Sequence, residues 1–300
     1  MRITNRCITN SYLSGMQKNL SNMNKLNTQM TTQKQINKVS DDPYNATKLM
    51  GMKTEIQDIE RFNYNCDEIL GWVETTDDAL SKVNTVVSEV KTLLTSISDT
   101  FTQSEVDAVK KDVTEKIKEL AESLNGSYAG KYIFSGSNMD EKPINVIENP
   151  DGSISLEVNQ NVNSEALKAE VSHGMSISYN LSVSDVLGVD GLDAINNVLT
   201  ELNKVPFDVN GIMNVKEDLD KFGQNVLDAR STVGSKANSI ESIKSNNEDN
   251  IVVATEVISK IEDIDYVEKY VELQSAQLVY NASLQVGSNL LQTTILDFIR

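Results

Sequence analysis

The sequence predicts a mainly α protein, a long antiparallel helical bundle with coiled-coil terminal helices and a small β-rich inserted domain. Three observations predict it. Apolar stripes at heptad-like spacing mark both ends of the 300-residue chain, proline-free helical patterns fill most of each half, and the apolar period drops to two only between them, after Gly126. Narrow stripes make helices that pack on helices while leaving most of each helix polar. An isolated pair of that kind is weakly stable and gains most from neighbouring copies of the same chain, which suits a building block better than a catalyst.

The first helix is expected from about Thr9 to Gln35, with Leu13, Met16, Leu20, Met23, Asn27 and Met30 as its stripe. Ser40-Asp41-Asp42-Pro43 interrupts it: a carboxylate ahead of a proline at the first helical position is a turn followed by a helix start. With no further ligands clustered nearby, a cap explains this acidic pair better than a cation site. A helical pattern then runs from Tyr44 to about Ser98, roughly 80 Å at about 1.5 Å per residue. Its seam is Leu49, Met52, Ile56, Ile59, Cys66, Leu70 and Val73, then Leu80, Val83, Val87, Val90, Leu94 and Ile97, with a slip of phase between Val73 and Leu80 that rotates the apolar face. The next helix covers Ser104 to about Asn125, with Ser104 and Asp107 as a capping-box-like start.

Strands are expected at Tyr132 to Phe134, Ile144 to Ile147, Ile154 to Val158 and along Met175, Ile177, Tyr179, Leu181 and Val183, with a turn at Asn149-Pro150-Asp151-Gly152. A short helix from about Leu192 to Lys204 stops at Pro206, and no proline follows before Arg300. The last stripe runs through Ile240, Ile243, Asn247, Asn250, Ala254, Val257, Ile261 and Ile264, then re-phases as Tyr266, Tyr270, Leu273, Gln277, Tyr280, Leu284 and Leu291. The expected organisation is an N-terminal coiled-coil segment (1–43), the first half of the bundle (44–130), a β-rich insert (131–184), the second half (185–262) and a C-terminal coiled-coil segment (263–300), with the two chain ends together.

Composition narrows the function. With 44 acidic against 27 basic residues the net charge is -17, which repels phosphate backbones and anionic lipid, so no nucleic-acid or membrane partner is expected. Residues 1–15 hold no continuous apolar run of the Sec signal type, and no stretch approaches the roughly 20 apolar residues of a spanning helix. Those signals alone describe a soluble cytosolic chain, with a signal-peptide-independent export route left open. Cys66 fits a small buried hydrophobe and Cys7 an incidental thiol, so no disulfide framework is implied.

Several stretches together resemble the flagellin superfamily over almost the whole chain. In order they are the N-terminal heptad, Ile36-Asn37-Lys38-Val39-Ser40-Asp41-Asp42-Pro43, the long helix, Tyr128-Ala129-Gly130-Lys131-Tyr132-Ile133-Phe134-Ser135-Gly136-Ser137 with Pro143 after it, and the closing Tyr280-Asn281-Ala282-Ser283-Leu284, Leu290-Leu291-Gln292 and Ile295-Leu296-Asp297-Phe298-Ile299. Arg230, Gly234 and Asn238 match the helix that enters the superfamily's C-terminal half, while Gln33 stands where the family often has glycine. The aromatic strand with Ser-Gly-Ser and the Leu-Asp-Phe ending are most similar to the hook-associated branch. The resemblance implies an exported structural adaptor of the bacterial flagellum, set as a ring or helical layer of copies of itself between a hook-side junction protein and flagellin. It also implies passage through the flagellar type III channel with a cytosolic chaperone on the C-terminal segment. Leu13, Met16, Leu20, Met23, Tyr280, Leu284, Leu291 and Phe298 are then the expected subunit-packing residues. Ser40, Asp41, Asp42 and Pro43 form the family turn, and Tyr132, Phe134, Gly136 and Pro143 the entry to the insert.

Enzymatic readings fare poorly, and no catalytic, cofactor or metal residue is assigned. His173 is the only histidine, in a turn-like Val171-Ser172-His173-Gly174-Met175 setting, which excludes zinc sites with several histidines. Gly130-Lys131 and Gly136 lack the spacing of a phosphate loop, and Glu262-Asp263-Ile264-Asp265 lacks that of an EF-hand. Trp72 and the Tyr266, Tyr270, Tyr280 series suit helix packing better than a ligand pocket. Within the structural class the rivals are a minor flagellin that forms filament and a surface coiled-coil adhesin.

Overall fold

The structure is a computed structural model that describes residues 2–98, 101–149, 154–188, 190–204 and 208–296. The protein is mainly α with a small β portion. Its elements are α1 (Arg2–Thr32), α2 (Pro43–Ser96), α3 (Gln103–Leu124), β1 (Ser127–Tyr128), β2 (Lys131–Tyr132), β3 (Ile144–Glu148), β4 (Ile154–Val158), β5 (Lys168–Ser172), β6 (Met175–Ser178), α4 (Val183–Leu187), α5 (Gly191–Leu202), α6 (Val209–Glu262) and α7 (Tyr266–Leu296). Residues 150–152 of the expected turn, Pro206 and the closing residues 297–300, including Phe298, lie outside the described residues.

The chain divides into two compact units, residues 59–249 and residues 1–58 with 250–300. In the first, α2 and α6 lie antiparallel, as their ion pairs record: Lys91 meets Asp220, Arg230 holds Asp77 through two bonds of 2.9 Å, and Lys244 meets Asp67 at 2.6 Å. The expected phase slip in α2 does not occur. Cys66, Ile69, Val73, Thr76, Leu80, Val83, Val87, Val90, Leu94 and Ile97 are all buried at strict three-four spacing. Thr76 closes the gap by donating its hydroxyl to the Trp72 carbonyl at 2.8 Å, which satisfies a polar group that burial would otherwise penalise. On α6 the matching seam is Ile212, Val215, Leu219, Phe222, Val226, Ala229, Val233, Ile240 and Asn247. Heptads on both partners make this an antiparallel coiled coil with α3 and α5 added to its core.

Helix α3 is capped two residues earlier than expected. Its cap is Thr102, whose backbone N–H and hydroxyl both donate to the Glu105 carboxylate at 2.7 and 2.8 Å, and not the pair Ser104 and Asp107. The choice follows from burial, because a Thr102 cap puts Phe101 before it and fully buried Val106 four residues inside, where both join the apolar core.

The β portion is three separate antiparallel pairs, β1-β2, β3-β4 and β5-β6. Side-chain amides close their open edges as a neighbouring strand would. Asn125 bonds both backbone groups of Ile144, at 2.9 and 3.0 Å, and Asn196 both groups of Leu156, at 3.0 and 2.9 Å. The strand expected through Tyr179, Leu181 and Val183 ends at Ser178. Ser182 and Asp185 form a capping box, with the Ser182 N–H donating to Asp185 at 3.0 Å, and begin α4 instead. The strand expected at Tyr132 to Phe134 stops after Tyr132, and Ile133 and Phe134 turn fully into the core. Strands β1 and β5 extend the expected set.

In the second unit α1 packs antiparallel on α7, and the breaks in the two helical halves lie side by side. Lys34 bridges Asp263, the Gln35 N–H donates to the Glu262 carbonyl at 2.6 Å, and the Ile264 N–H to the Gln33 carbonyl at 3.3 Å. Gln33 has φ +58, the left-handed conformation that glycine adopts without strain. A glycine at this place would have a backbone reason.

Candidate assembly surface

The turn after α1 is built by its two carboxylates. Asp41 accepts from the Lys38 and Asn37 N–H groups at 3.0 and 3.4 Å and pairs with Lys25 at 3.2 Å. The Lys38 N–H bond first, then Lys25, holds its carboxyl below the usual range. Asp42 caps α2 by accepting from the Asn45 N–H at 3.0 Å, and that bond lowers its pKa too. Pro43 is the first residue of α2, and Ser40 stays exposed.

Across from this turn Glu262 is buried and pinned by Lys34 at 2.7 Å and Lys53 at 2.8 Å. Burial opposes its charge, but the two lysine hydrogen bonds outweigh it and keep the carboxyl below its ordinary value. These bonds fix where the α1/α7 pair joins α2 and α6 within the unit.

The pair itself has almost no interior. Of the buried apolar side chains among the described residues, Leu26, Ala46 and Leu49 alone belong to this unit. The contact face of α1 is Tyr12, Met16, Asn19, Met23, Leu26 and Met30. The expected stripe therefore splits. Met16, Met23 and Met30 are half-buried, whereas Leu13 (50% exposed), Leu20 (41%) and Asn27 form a second, outward row beside them. The alternate contact positions fall to Tyr12, Asn19 and Leu26; the Tyr12 hydroxyl donates to the Ser283 carbonyl at 2.7 Å and Asn19 reaches the Ser283 hydroxyl at 3.5 Å.

Helix α7 is apolar on opposite sides. Leu273, Ala276, Tyr280 and Gly287 line the side turned to α1. Val267 (73% exposed), Val271 and Leu278 (71%) lie on the opposite side and Val279 and Val286 along one flank, with Tyr266, Tyr270 and Leu284 also exposed. A helix with apolar residues on more than one side covers only one of them with the partner this chain supplies. Among the predicted packing residues, Met16, Met23 and Tyr280 are half-buried in the chain's own helix pair, and Leu13, Leu20 and Leu284 are exposed. Leu291 lies on α7, at the end whose side chains are outside the description. The outward valines of α7 went unread because they belong to no single heptad.

The entry to the insert is in the other unit. Phe134 and Pro143 are buried, Tyr132 is half-buried, and Gly136 has φ +69 with the Asn163 backbone packed where a Cβ would stand. Among the described residues no cluster of His, Cys, Asp and Glu could hold a metal ion, and no helix is long and apolar enough to cross a membrane.

The long helices pair at their ends and leave an apolar row exposed outside the pair. Residues 3–139 match the family model for the bacterial flagellin N-terminal helical region. The chain also aligns with flagellar hook-associated protein 3 of Salmonella typhimurium, 22% identical over 92% of this chain and 93% of the relative. The fold is shared with a Vibrio parahaemolyticus protein assigned to the flagellar hook-associated class (TM-score 0.67, 17% identity, 74% of this chain and all of that one). It is shared also with the flagellar junction protein FlgL of Legionella pneumophila (TM-score 0.57, 12% identity, 71% and 99%). The resemblance read from the sequence, to the hook-associated branch of the flagellin superfamily, is borne out.

Proposed function

We propose that this chain is a structural adaptor of the bacterial flagellum, joining the hook, through a hook-side junction protein, to the flagellin filament. The observation that carries the proposal is the two-sided apolar surface of α7: its outer side needs a partner, and copies of the same chain set in a ring or helical layer supply one. The segments 1–43 and 263–300 are then the inner assembly segments, with Leu13, Leu20 and Leu284 on the contacts between copies.

Export by the flagellar type III system fits the same feature. A helix pair with so little buried surface unfolds at low cost, which suits threading through a narrow channel and capture of its C-terminal segment by a cytosolic chaperone. Relatives named hook-associated protein 3 and flagellar junction protein support the junction role. A second reading, a minor flagellin, is favoured by the match of residues 3–139 to the flagellin helical region.

Electron microscopy of cells lacking the gene, with an immunoblot of the medium for flagellin, separates the two. The adaptor leaves bare hooks and monomeric flagellin in the medium. Filaments that remain attached but shortened would favour the minor flagellin.

A further inference from the structure

One cleft in the unit 59–249 has a lining that the assembly role does not use. It measures about 400 Å³ and lies between α2 and the β1-β2 and β5-β6 pairs. Its wall is aromatic: Tyr128 and Tyr179 stand at 73° and 84° to Trp72, with ring centroids 5.9 and 5.8 Å away. Trp72 is only 6% exposed, yet its indole N–H has no hydrogen-bond partner. A buried donor left unpaired is unfavourable, so the site favours whatever brings it an acceptor.

The polar groups around the aromatics are of both kinds. Glu68 and Glu170 are exposed carboxylates that accept from Tyr64 at 3.0 Å and from the Gly174 N–H at 3.3 Å, each through one oxygen. Asn65 donates to the Glu170 carbonyl at 2.9 Å and keeps its own amide oxygen for a ligand. Lys131 adds a donor at the rim. Burial first, then Glu68, raises the pKa of the Tyr179 phenol, which keeps it a protonated donor at neutral pH.

We infer that this cleft binds a neutral saccharide ring, its C–H face against Trp72, Tyr128 and Tyr179 and its hydroxyls shared between the indole N–H, Asn65 and the two carboxylates. A hydroxyl both donates and accepts, which the mixed lining requires. A lysine side chain would suit the carboxylates and the aromatic faces, but it offers nothing to the indole N–H and meets Lys131. A cleft of this size lies within the range of small-ligand sites.

Trp72 is the chain's only tryptophan, so its fluorescence reports on this cleft alone. The purified full chain is titrated with glucose, galactose, mannose and N-acetylglucosamine, with a lysine-rich peptide in parallel. At least one sugar is expected to shift the emission saturably, with a dissociation constant on the order of 1 mM. Glu68→Gln and Tyr179→Phe, each checked by circular dichroism for an intact fold, should weaken that binding about tenfold. Absence of a saturable shift with all four sugars would overturn the inference and leave the cleft to water. A shift undiminished in Glu68→Gln, which alters only an exposed side chain, would overturn it too, as would saturation by the peptide alone.

Discussion

The Tyr12 hydroxyl donates to the Ser283 carbonyl at 2.7 Å while its ring covers Gly287, so close that a methyl group at Gly287 would overlap it. Bond and contact together fix the register of α1 on α7. Gly287→Ala gains about 1 kcal/mol of helix propensity but meets an overlap costing about 1–3 kcal/mol, and the overlap should win. Amide exchange along α7 should accelerate, with no change in residues 59–249. Unaltered exchange in α7 would show that the register is set elsewhere.

Gln33 is the opposite case, a side chain where the backbone favours none. At φ +58 it carries part of a left-handed penalty of about 1–2 kcal/mol, and Gln33→Gly removes it at some cost in unfolded-chain entropy. The Ile264 N–H bond to the residue 33 carbonyl is kept in the variant. Slower exchange at Ile264 is expected; faster exchange would mean the side chain stabilises the turn.

Acid should loosen the joint at Glu262. Burial raises the pKa of this carboxyl and the hydrogen bonds from Lys34 and Lys53 lower it, with a net value below the ordinary 4.5. A carboxyl depressed in the folded state contributes stability that is complete above the unfolded value and is lost as pH falls through the folded one. The joint between α1 and α2 should therefore hold at neutral pH and open to proteolysis below about pH 4.5. Glu262→Gln should be easily cleaved there even at neutral pH, and a variant as resistant as the parent would deny the carboxylate this role.

Phe134 is fully buried, and its carbonyl accepts the Val183 N–H at 2.8 Å, tying the entry of the insert to the start of α4. Phe134→Ala should cost about 3–5 kcal/mol in denaturant unfolding of the intact chain. Protease resistance of the insert should fall with it. A loss under about 1 kcal/mol would mean that Phe134 is not the anchor.

The long helices were legible because their apolar period is regular and because Asp42-Pro43 and the re-phasing at Ile264 mark real boundaries. What escaped was polar. Thr76 and Asn19 occupy seam positions by bonding to a nearby backbone carbonyl and to the facing helix, so an apolar count breaks the first seam and displaces the second by one residue. In β5, Lys-Ala-Glu-Val-Ser buries little besides Val171, leaving no alternation to detect. Two cap motifs overlapped at Thr102 and Ser104, and only the burial of Val106 decides between them. The outer row of α7 escaped for a similar reason, since exposed apolar residues that pack on nothing within the chain add to no single heptad.

Leu278→Lys in the deletion strain tests the central claim most directly. Leu278 is 71% exposed, so the purified variant should match the parent in circular dichroism and thermal melting. With the variant itself detected in the medium as proof of export, the account predicts bare hooks and free flagellin, because a lysine on the outer row of α7 cannot be buried against a neighbouring copy. Full-length filaments on those hooks would contradict it and remove α7's outer face from the assembly.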